Sequence, residues 1–142
     1  MAEIAYEPEL QPESRAAIVE GLMAFNASKT ADFEGPMAII GLTLTNPETG
    51  MVDGGLTARI GYAWMFVELL FVPERLRGQG IGRELMLRAE AIARDKGCIG
   101  SRLDTFSFQA RGFYEKLGYA VFGEITDCPP GHSRYFLHKQ LS

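Results

Sequence analysis

The chain has 142 residues, of which 46% are hydrophobic and 23% are charged, and its formal net charge is −4. This length and composition are typical of one folded domain and exclude a disordered chain. The acidic balance argues against a general nucleic-acid binder, since phosphate contacts favour basic proteins, and no apolar run reaches the ~20 residues of a membrane-spanning helix.

The first half of the chain predicts one helix among four strands. The helix runs from Pro12 to about Asn26, because its apolar residues recur at helical spacing. The apolar run 64–72 predicts a central strand that is buried on both faces and ends at Pro73. Turn residues at 46–50 join two of the strands. The predicted strands cover residues 4–10, 37–45, 52–62 and 64–72.

The second half predicts two helices and three strands. The clearest element is a helix over residues 80–96, which has an apolar stripe and Gly97 at its end. A strand at 98–105 and a short helix at 109–117 follow, and strands 119–125 and 133–141 pair as the last two. The resulting order, β-α-β-β-β-α-β-α-β-β, predicts a single mixed α/β domain over residues 1–142.

The strongest chemical signal lies between the buried strand and the long helix. The first N–H groups of a helix are unpaired and carry partial positive charge, so they bind anions such as pyrophosphate. The glycines in residues 78–82 let the backbone approach such an anion, and Arg75, Arg77 and Arg83 add charge. The spacing Gly-x-Gly-x-Gly does not fit a dinucleotide fingerprint, and a Walker loop is absent. The alternative is that the glycines only turn the chain.

Two motifs identify a family resemblance. Arg77-Gly78-Gln79-Gly80-Ile81-Gly82 resembles the signature of the GNAT acetyltransferases, Arg/Gln-x-x-Gly-x-Gly/Ala. Residues 110–119 resemble the family's second motif, Ala-x-x-x-Tyr-x-x-x-Gly-Phe/Tyr. The resemblance implies the acyl-CoA N-acyltransferase fold, which is an α/β fold with a mixed, mostly antiparallel central sheet, splayed central strands and flanking helices. It also implies transfer of an acetyl group from acetyl-CoA to an amine, without a metal.

The resemblance further implies a binding site for acetyl-CoA as co-substrate. Pantetheine would lie along the central strand as an added strand does, and an N–H near Leu70 would polarise the thioester carbonyl as an oxyanion hole does. Family members often have Asn at the position of Ser107, and Gln109 could take over that contact. The implied cofactor-binding residues are Leu70, Phe71, Val72, Arg77, Gly78, Gln79, Gly80, Ile81, Gly82, Arg83 and Ser107.

Three residues are candidates for proton transfer. The family motif indicates that Tyr114 protonates the departing thiolate, although the side chain could also simply pack in the core. Glu68 and Asp104 are carboxylates in apolar strands, and either could take the proton of the acceptor amine or serve as a paired structural carboxylate. Strand alternation predicts that Glu68 lies on the same face as Leu70, near the acetyl group.

The acceptor itself is left open by the sequence. The acidic balance favours a cationic acceptor or merely keeps the protein soluble. Asp32, in a predicted loop at 26–33, could meet such a cation, and His132 lies in a loop at the opposite rim. Tyr62, Trp64 and Phe66 would line an apolar acceptor pocket or belong to the core.

Among acceptor classes, the small size favours a small-molecule amine. The alternatives are a peptide or protein amine, and a non-catalytic acyl-CoA-binding regulatory module, against which Tyr114 argues.

The cysteines, the first ten residues and the last strand bear on the cellular location and the oligomeric state of the protein. Cys98 and Cys128 show neither metal-ligand spacing nor a disulfide framework, and residues 1–10 lack the pattern of a signal peptide, so we expect a cytoplasmic enzyme. Cys98 should pack as a small hydrophobic residue. No membrane or nucleic-acid partner is expected. The resemblance implies a homodimer through the edge of the last strand, at residues 135–137.

Overall fold

The computed structural model describes residues 2–31, 33 and 35–142 of the chain. It holds two compact units, residues 1–34 and 35–142. The organisation of residues 1–142 as one domain stays a prediction. Asp32, which was expected to meet a cationic substrate, lies outside the described residues.

The N-terminal unit contains one helix, α1 (Pro12–Lys29). The strand predicted at residues 4–10 is wrong, because this segment is irregular and leads into the helix. The Glu7 carboxylate accepts hydrogen bonds from the Gln11 N–H at 3.0 Å and from the Ser14 hydroxyl at 2.6 Å, which ties the segment to the first turn. The helix continues beyond the predicted end to Lys29, and the Thr30 N–H and hydroxyl then bond to the Asn26 carbonyl.

The second unit is built on a six-stranded sheet in the order β1-β2-β3-β4-β6-β5. Neighbouring strands pair antiparallel except β3 and β4, which confirms the predicted mixed, mostly antiparallel sheet. The predicted exposed edge at residues 135–137 is wrong, because β6 lies between β4 and β5. The strands are β1 (Ala38–Thr45), β2 (Val52–Gly61), β3 (Trp64–Phe71), β4 (Gly100–Phe106), β5 (Ala120–Thr126) and β6 (Ser133–Gln140).

Two helices belong to this unit, α2 (Ile81–Asp95) and α3 (Arg111–Lys116). The loop between β3 and α2 contains one turn of 3₁₀ helix, Glu74–Leu76. Helix α2 buries one apolar face, as its predicted stripe requires. The hydrophobic core combines residues of α2 with residues of β2, β3, β4 and β6, namely Leu85, Met86, Ala89, Ala93, Leu56, Ala58, Ile60, Met65, Val67, Leu103 and Leu137. Cys98 is buried with them, as predicted, and burial raises the pKa of its thiol.

Strands β3 and β4 separate soon after they begin. They pair only where residues 64–66 face residues 100–102. At the first pair the Trp64 indole lies against Gly100, where an added Cβ would come within 2.4 Å of the ring. Beyond Phe66 the two strands diverge, and Leu69 is 61% exposed. The prediction that this strand is buried on both faces is therefore wrong for its second half.

A buried polar network joins α2 to the strands on one side of this divergence. The Tyr119 hydroxyl lies 2.8 Å from a Glu90 carboxylate oxygen and 2.8 Å from the Ser101 hydroxyl. Lys139 Nζ donates to the other Glu90 oxygen at 2.8 Å, which gives the fully buried carboxylate a charged partner. Burial raises the pKa of Tyr119, so its hydroxyl keeps the proton that it donates to Glu90.

We expect Tyr119→Phe to lower the free energy of unfolding by about 1–3 kcal/mol, since it leaves a buried carboxylate oxygen and a buried hydroxyl without their shared partner. Urea denaturation of the variant measures this loss. Tyr6→Phe is the matched control, because Tyr6 is 87% exposed. Equal stabilities of the two variants would contradict the role given to the network.

Candidate active site

The divergence of β3 and β4 opens a cleft of about 910 Å³. Its walls are the second half of β3, the loop that leads into α2, the end of β4 and helix α3. The structure brings the sequence-predicted site residues together here, with the exception of Gln79 and Ser107. Those that line the cleft are Glu68, Leu70, Phe71, Val72, Arg77, Gly78, Gly80, Ile81, Gly82, Arg83, Asp104 and Tyr114.

One end of the cleft is the start of helix α2. Gly78 and Gly80 have φ angles of 75° and 76°, a left-handed conformation that favours glycine. The first helical hydrogen bond joins the Glu84 N–H to the Gly80 carbonyl at 3.0 Å. The N–H groups before Glu84 in the first turn have no helical acceptor, so this end is suited to bind an anion.

Gly82 has a different role from the two left-handed glycines. A Cβ at this position would lie 3.3 Å from the Phe113 ring, so the missing side chain lets α3 approach α2 closely. The close contact places α3, and with it Tyr114, beside the start of α2.

The three arginines of the loop and the first turn of α2 are not equivalent. The Arg75 guanidinium is bound to Asp53, with Nη2 2.8 Å and 3.0 Å from the two carboxylate oxygens. Arg77 donates from Nε to the Val72 carbonyl at 3.0 Å, which keeps its guanidinium beside the cleft. Arg83 also lines the cleft and has no ion pair among the described residues. Arg77 and Arg83 can therefore meet an anion, whereas Arg75 holds the loop to β2.

The second half of β3 borders the cleft with its backbone. Residues 67–71 have no β4 partner, although β2 still pairs along the other edge of the strand. An extended ligand could bond to that free edge as an added strand does. The Val72 carbonyl is already engaged by Arg77.

Tyr114 projects from α3 on the side of the sheet that α2 covers. Its ring packs at right angles to Phe113 and Tyr119, with centroids 5.0 Å and 6.2 Å away. Burial raises the pKa of the phenol. The group therefore stays protonated at neutral pH and can act as a proton donor at the cleft wall.

Glu68 and Asp104 lie on the opposite face of the sheet. The prediction that Glu68 shares a face with Leu70 is wrong, because β3 contains a bulge: Leu69 pairs with Thr57 and Val67 with Ala58, which leaves Glu68 unmatched. Leu70 packs against the core, whereas Glu68 turns to Arg59, with Oε2 and Nε 2.8 Å apart.

Asp104 has a similar ion pair on the other side of the cleft. Its Oδ1 accepts hydrogen bonds from Arg134 Nε at 3.0 Å and from Nη2 at 2.8 Å. Each carboxylate thus keeps one oxygen that accepts no hydrogen bond within the described part of the chain. On the helix side, the cleft has an anion-binding end and a phenol. On the opposite side, it has two carboxylates, each with one oxygen in an ion pair.

The two predicted residues outside the cleft are engaged elsewhere. The Ser107 hydroxyl accepts the Ser133 N–H at 3.0 Å, and the Gln79 amide donates to the Arg75 carbonyl at 3.2 Å. Gln109, the suggested replacement for Ser107, does line the cleft. Its side-chain oxygen accepts bonds from the Thr105 hydroxyl and the Phe106 N–H, both at 2.9 Å.

The aromatic residues at the start of β3 do not line the cleft. Trp64 lies against Gly100, and Phe66 stacks under the Arg102 guanidinium at 4.5 Å. The sequence analysis missed Phe108, Arg59 and Arg134. Motif spacing carries no signal for the two arginines, because their partners are set by strand register.

Neither a membrane-spanning helix nor a cluster of metal-ligating side chains occurs among the described residues. No helix among them is long and apolar enough to cross a membrane. No group of three or more His, Cys, Asp or Glu side chains among them could hold a metal ion.

Known proteins that are similar to this chain in sequence or fold include several acetyltransferases. The model of the acetyltransferase (GNAT) family matches residues 8–119. Blasticidin-S acetyltransferase of Streptomyces morookaense is 45% identical over 95 residues, which are 66% of this chain and 70% of that protein. A crystal structure of an acetyltransferase from Bacillus cereus has a TM-score of 0.81 and 34% identity, covering 96% of this chain and 97% of that one. An aminoglycoside 6'-N-acetyltransferase solved with coenzyme A shares the fold, with a TM-score of 0.64 and 18% identity over 73% of each chain.

The protonated state of Tyr114 can be measured directly. Because burial raises its pKa, we expect the phenol to ionise above pH 10, the ordinary value for tyrosine. Ultraviolet absorbance titration of the wild type minus that of Tyr114→Phe isolates this one ionisation. An ionisation step at or below pH 10 in the difference titration would show that the phenol is not desolvated.

Proposed function

The chain belongs to the acetyltransferase (GNAT) family and is an acetyl-CoA-dependent N-acetyltransferase, and on that premise we propose that its acceptor is the amine of a small molecule. The observation that carries the proposal is the division of the cleft. An anion-binding end and a proton-donating phenol lie on the helix side, and two carboxylates suited to an ammonium group lie on the other.

The residues of the helix side fit acetyl-CoA. Pyrophosphate would take the free N–H groups at the start of α2, with Arg77 and Arg83 adding charge. Pantetheine would follow the free edge of β3, where the N–H of Leu70 or a neighbour polarises the thioester carbonyl. The solved aminoglycoside acetyltransferase contains coenzyme A, which supports the same use of the shared fold here.

A small acceptor is supported by the comparisons. The relative from Streptomyces morookaense bears the name of blasticidin-S, a small molecule, and it covers the greater part of this chain at 45% identity. The cleft of about 910 Å³ is also within the size range of small-molecule sites.

We propose different roles for the two carboxylates, based on their exposure. Both would attract the ammonium form of the acceptor, which must lose a proton before it can attack. Glu68 has a side chain that is 38% exposed, against 19% for Asp104, so it can pass the proton on to water. We therefore assign deprotonation to Glu68 and positioning of the ammonium to Asp104.

The reaction then needs one further proton transfer. The free amine attacks the thioester carbonyl carbon, the C–S bond breaks, and the thiolate leaves. Tyr114 donates its phenolic proton to that sulfur from the helix side, and its raised pKa keeps the proton available at neutral pH. In this proposal, Glu68 takes the proton of the attacking amine from one face of the sheet. Tyr114 gives a proton to the leaving thiolate from the other face.

The first test is thiol release from acetyl-CoA with a panel of polyamines, amino sugars, amino acids and short basic peptides. We expect turnover of a small amine, and a kcat lower by about tenfold or more in Tyr114→Phe, with the Kd for acetyl-CoA changed by less than about twofold. Turnover confined to peptides would replace the small acceptor by a peptide. Tight binding of acetyl-CoA without turnover of any amine would indicate a regulatory module, and an unchanged kcat in Tyr114→Phe would remove that residue from the mechanism.

Glu68→Gln and Asp104→Asn separate the two carboxylate roles. We expect Glu68→Gln to lower kcat with little change in the KM for the acceptor, because the proton acceptor is lost. Asp104→Asn should instead raise the KM for the acceptor, with a smaller change in kcat, because it loses an attraction present before and during the reaction. The reverse pattern would exchange the roles, and unchanged kinetics in both variants would leave the carboxylates as structural partners of Arg59 and Arg134.

A further inference from the structure

A flat aromatic surface borders the cleft beside the carboxylates. Phe108 lines the cleft and is 57% exposed. Its ring stacks on Phe106, with centroids 5.1 Å apart and planes only 6° apart, and the His132 ring contacts it edge-on at 4.9 Å. We propose that Phe108 is a stacking surface for acceptors whose amine is joined to an aromatic or heteroaromatic ring. The proposal rests on the proposed function and narrows its substrate class.

The turn that carries Phe108 is held by hydrogen bonds on both sides of this residue. The Ser107 N–H donates to the Ser133 carbonyl at 2.8 Å, and the Ser133 N–H donates back to the Ser107 hydroxyl at 3.0 Å. The Gln109 N–H donates to the Phe106 carbonyl at 2.9 Å, and the Gln109 side chain accepts the Phe106 N–H. The ring is therefore held in place before a ligand arrives, which reduces the entropy lost on binding.

Phe108 is the open end of a longer stack. The Arg134 guanidinium lies 5.3 Å from the Phe106 ring and 5.5 Å from the Phe136 ring, and it is fixed by its bonds to Asp104. Phe106 thus contacts both Arg134 and Phe108, whereas Phe108 remains 57% exposed. A second flat ring would cover this apolar surface and add the favourable geometry of an aromatic pair.

The position of Asp104 fixes where the amine of such a ligand would lie. Asp104 and Phe106 are two residues apart on β4 and point to the same face, so their Cα atoms are about 6.6 Å apart by the rise of a strand. Asp104 Oδ1 takes both bonds from Arg134, and Oδ2 accepts none within the described residues. Because Phe108 stacks on Phe106, Asp104 and the Phe108 ring border the same cleft, and an arylalkylamine carries an ammonium for the one and a flat ring for the other.

A pair of amines that differ only in the flatness of the ring tests this. The full-length enzyme is assayed by thiol release with 2-phenylethylamine and with 2-cyclohexylethylamine, as wild type, Phe108→Leu and Phe122→Leu. Phe122 is the matched control, because it is similarly exposed and contacts His138 edge-on at the same 4.9 Å, but it does not line the cleft. We expect the wild type and Phe122→Leu to favour the aromatic amine in kcat/KM by about three- to tenfold, as an aromatic pair provides. In Phe108→Leu the ratio should fall to about one.

Equal kcat/KM values for the two amines in the wild type would overturn the proposal, as would a preference that survives Phe108→Leu. Turnover of both amines without a preference would leave the proposed function standing. If neither amine is turned over, saturation-transfer NMR on the enzyme with coenzyme A decides the question. Saturation of the 2-phenylethylamine ring protons in the wild type and its loss in Phe108→Leu support the stacking surface, whereas no saturation in the wild type rejects it.

Discussion

The separation of β3 from β4 after three paired residues is the constraint on which the site depends. A continuous sheet would satisfy the backbone of both strands and leave no room between them. Here pairing runs from Trp64 with Gly100 to Phe66 with Arg102, and the bulge at Glu68 follows. The free edge of β3, the cleft and the position of the two carboxylates all result from this divergence.

A sheet that is split in this way needs something to hold its halves in place, and α2 does so. On one side, the helix shares the core with Met65 and Val67 of β3. On the other, Glu90 of the same helix binds Lys139 of β6 and the Tyr119 hydroxyl. Because both halves are fixed to one helix, the cleft keeps its width, and the anion-binding start of α2 lies at its end.

The local elements of the second unit could be read from the sequence, because periodicity, turn residues and glycines determine them. Strands β1 to β6 and both helices lie close to their predicted ranges, and the loop at residues 77–82 was found from its composition. The register could not be predicted. One extra residue at Glu68 reverses the face of every side chain after it, and no composition signal marks the bulge.

Contacts between side chains on different strands could not be predicted from the sequence either. Arg134 follows Asp104 by 30 residues, and their contact requires β6 to insert between β4 and β5. In the same way, Ser107 stands at a position where family members often have Asn. Its hydroxyl instead accepts a hydrogen bond from the Ser133 N–H, a contact that only the fold creates. The predicted strand at residues 4–10 failed for a local reason, since Glu7 binds the first turn of α1 instead of leaving the segment extended in a sheet.

The contact between Trp64 and Gly100 has a consequence for spectroscopy. Trp64 is the single tryptophan of the chain, and it lies at the first residue pair that joins β3 to β4, 6.4 Å from the His138 ring. Its fluorescence therefore comes from one known point, in the short stretch where β3 and β4 are still paired. The emission of the native protein reports, without an added label, whether this ring stays packed where the two halves of the sheet are joined.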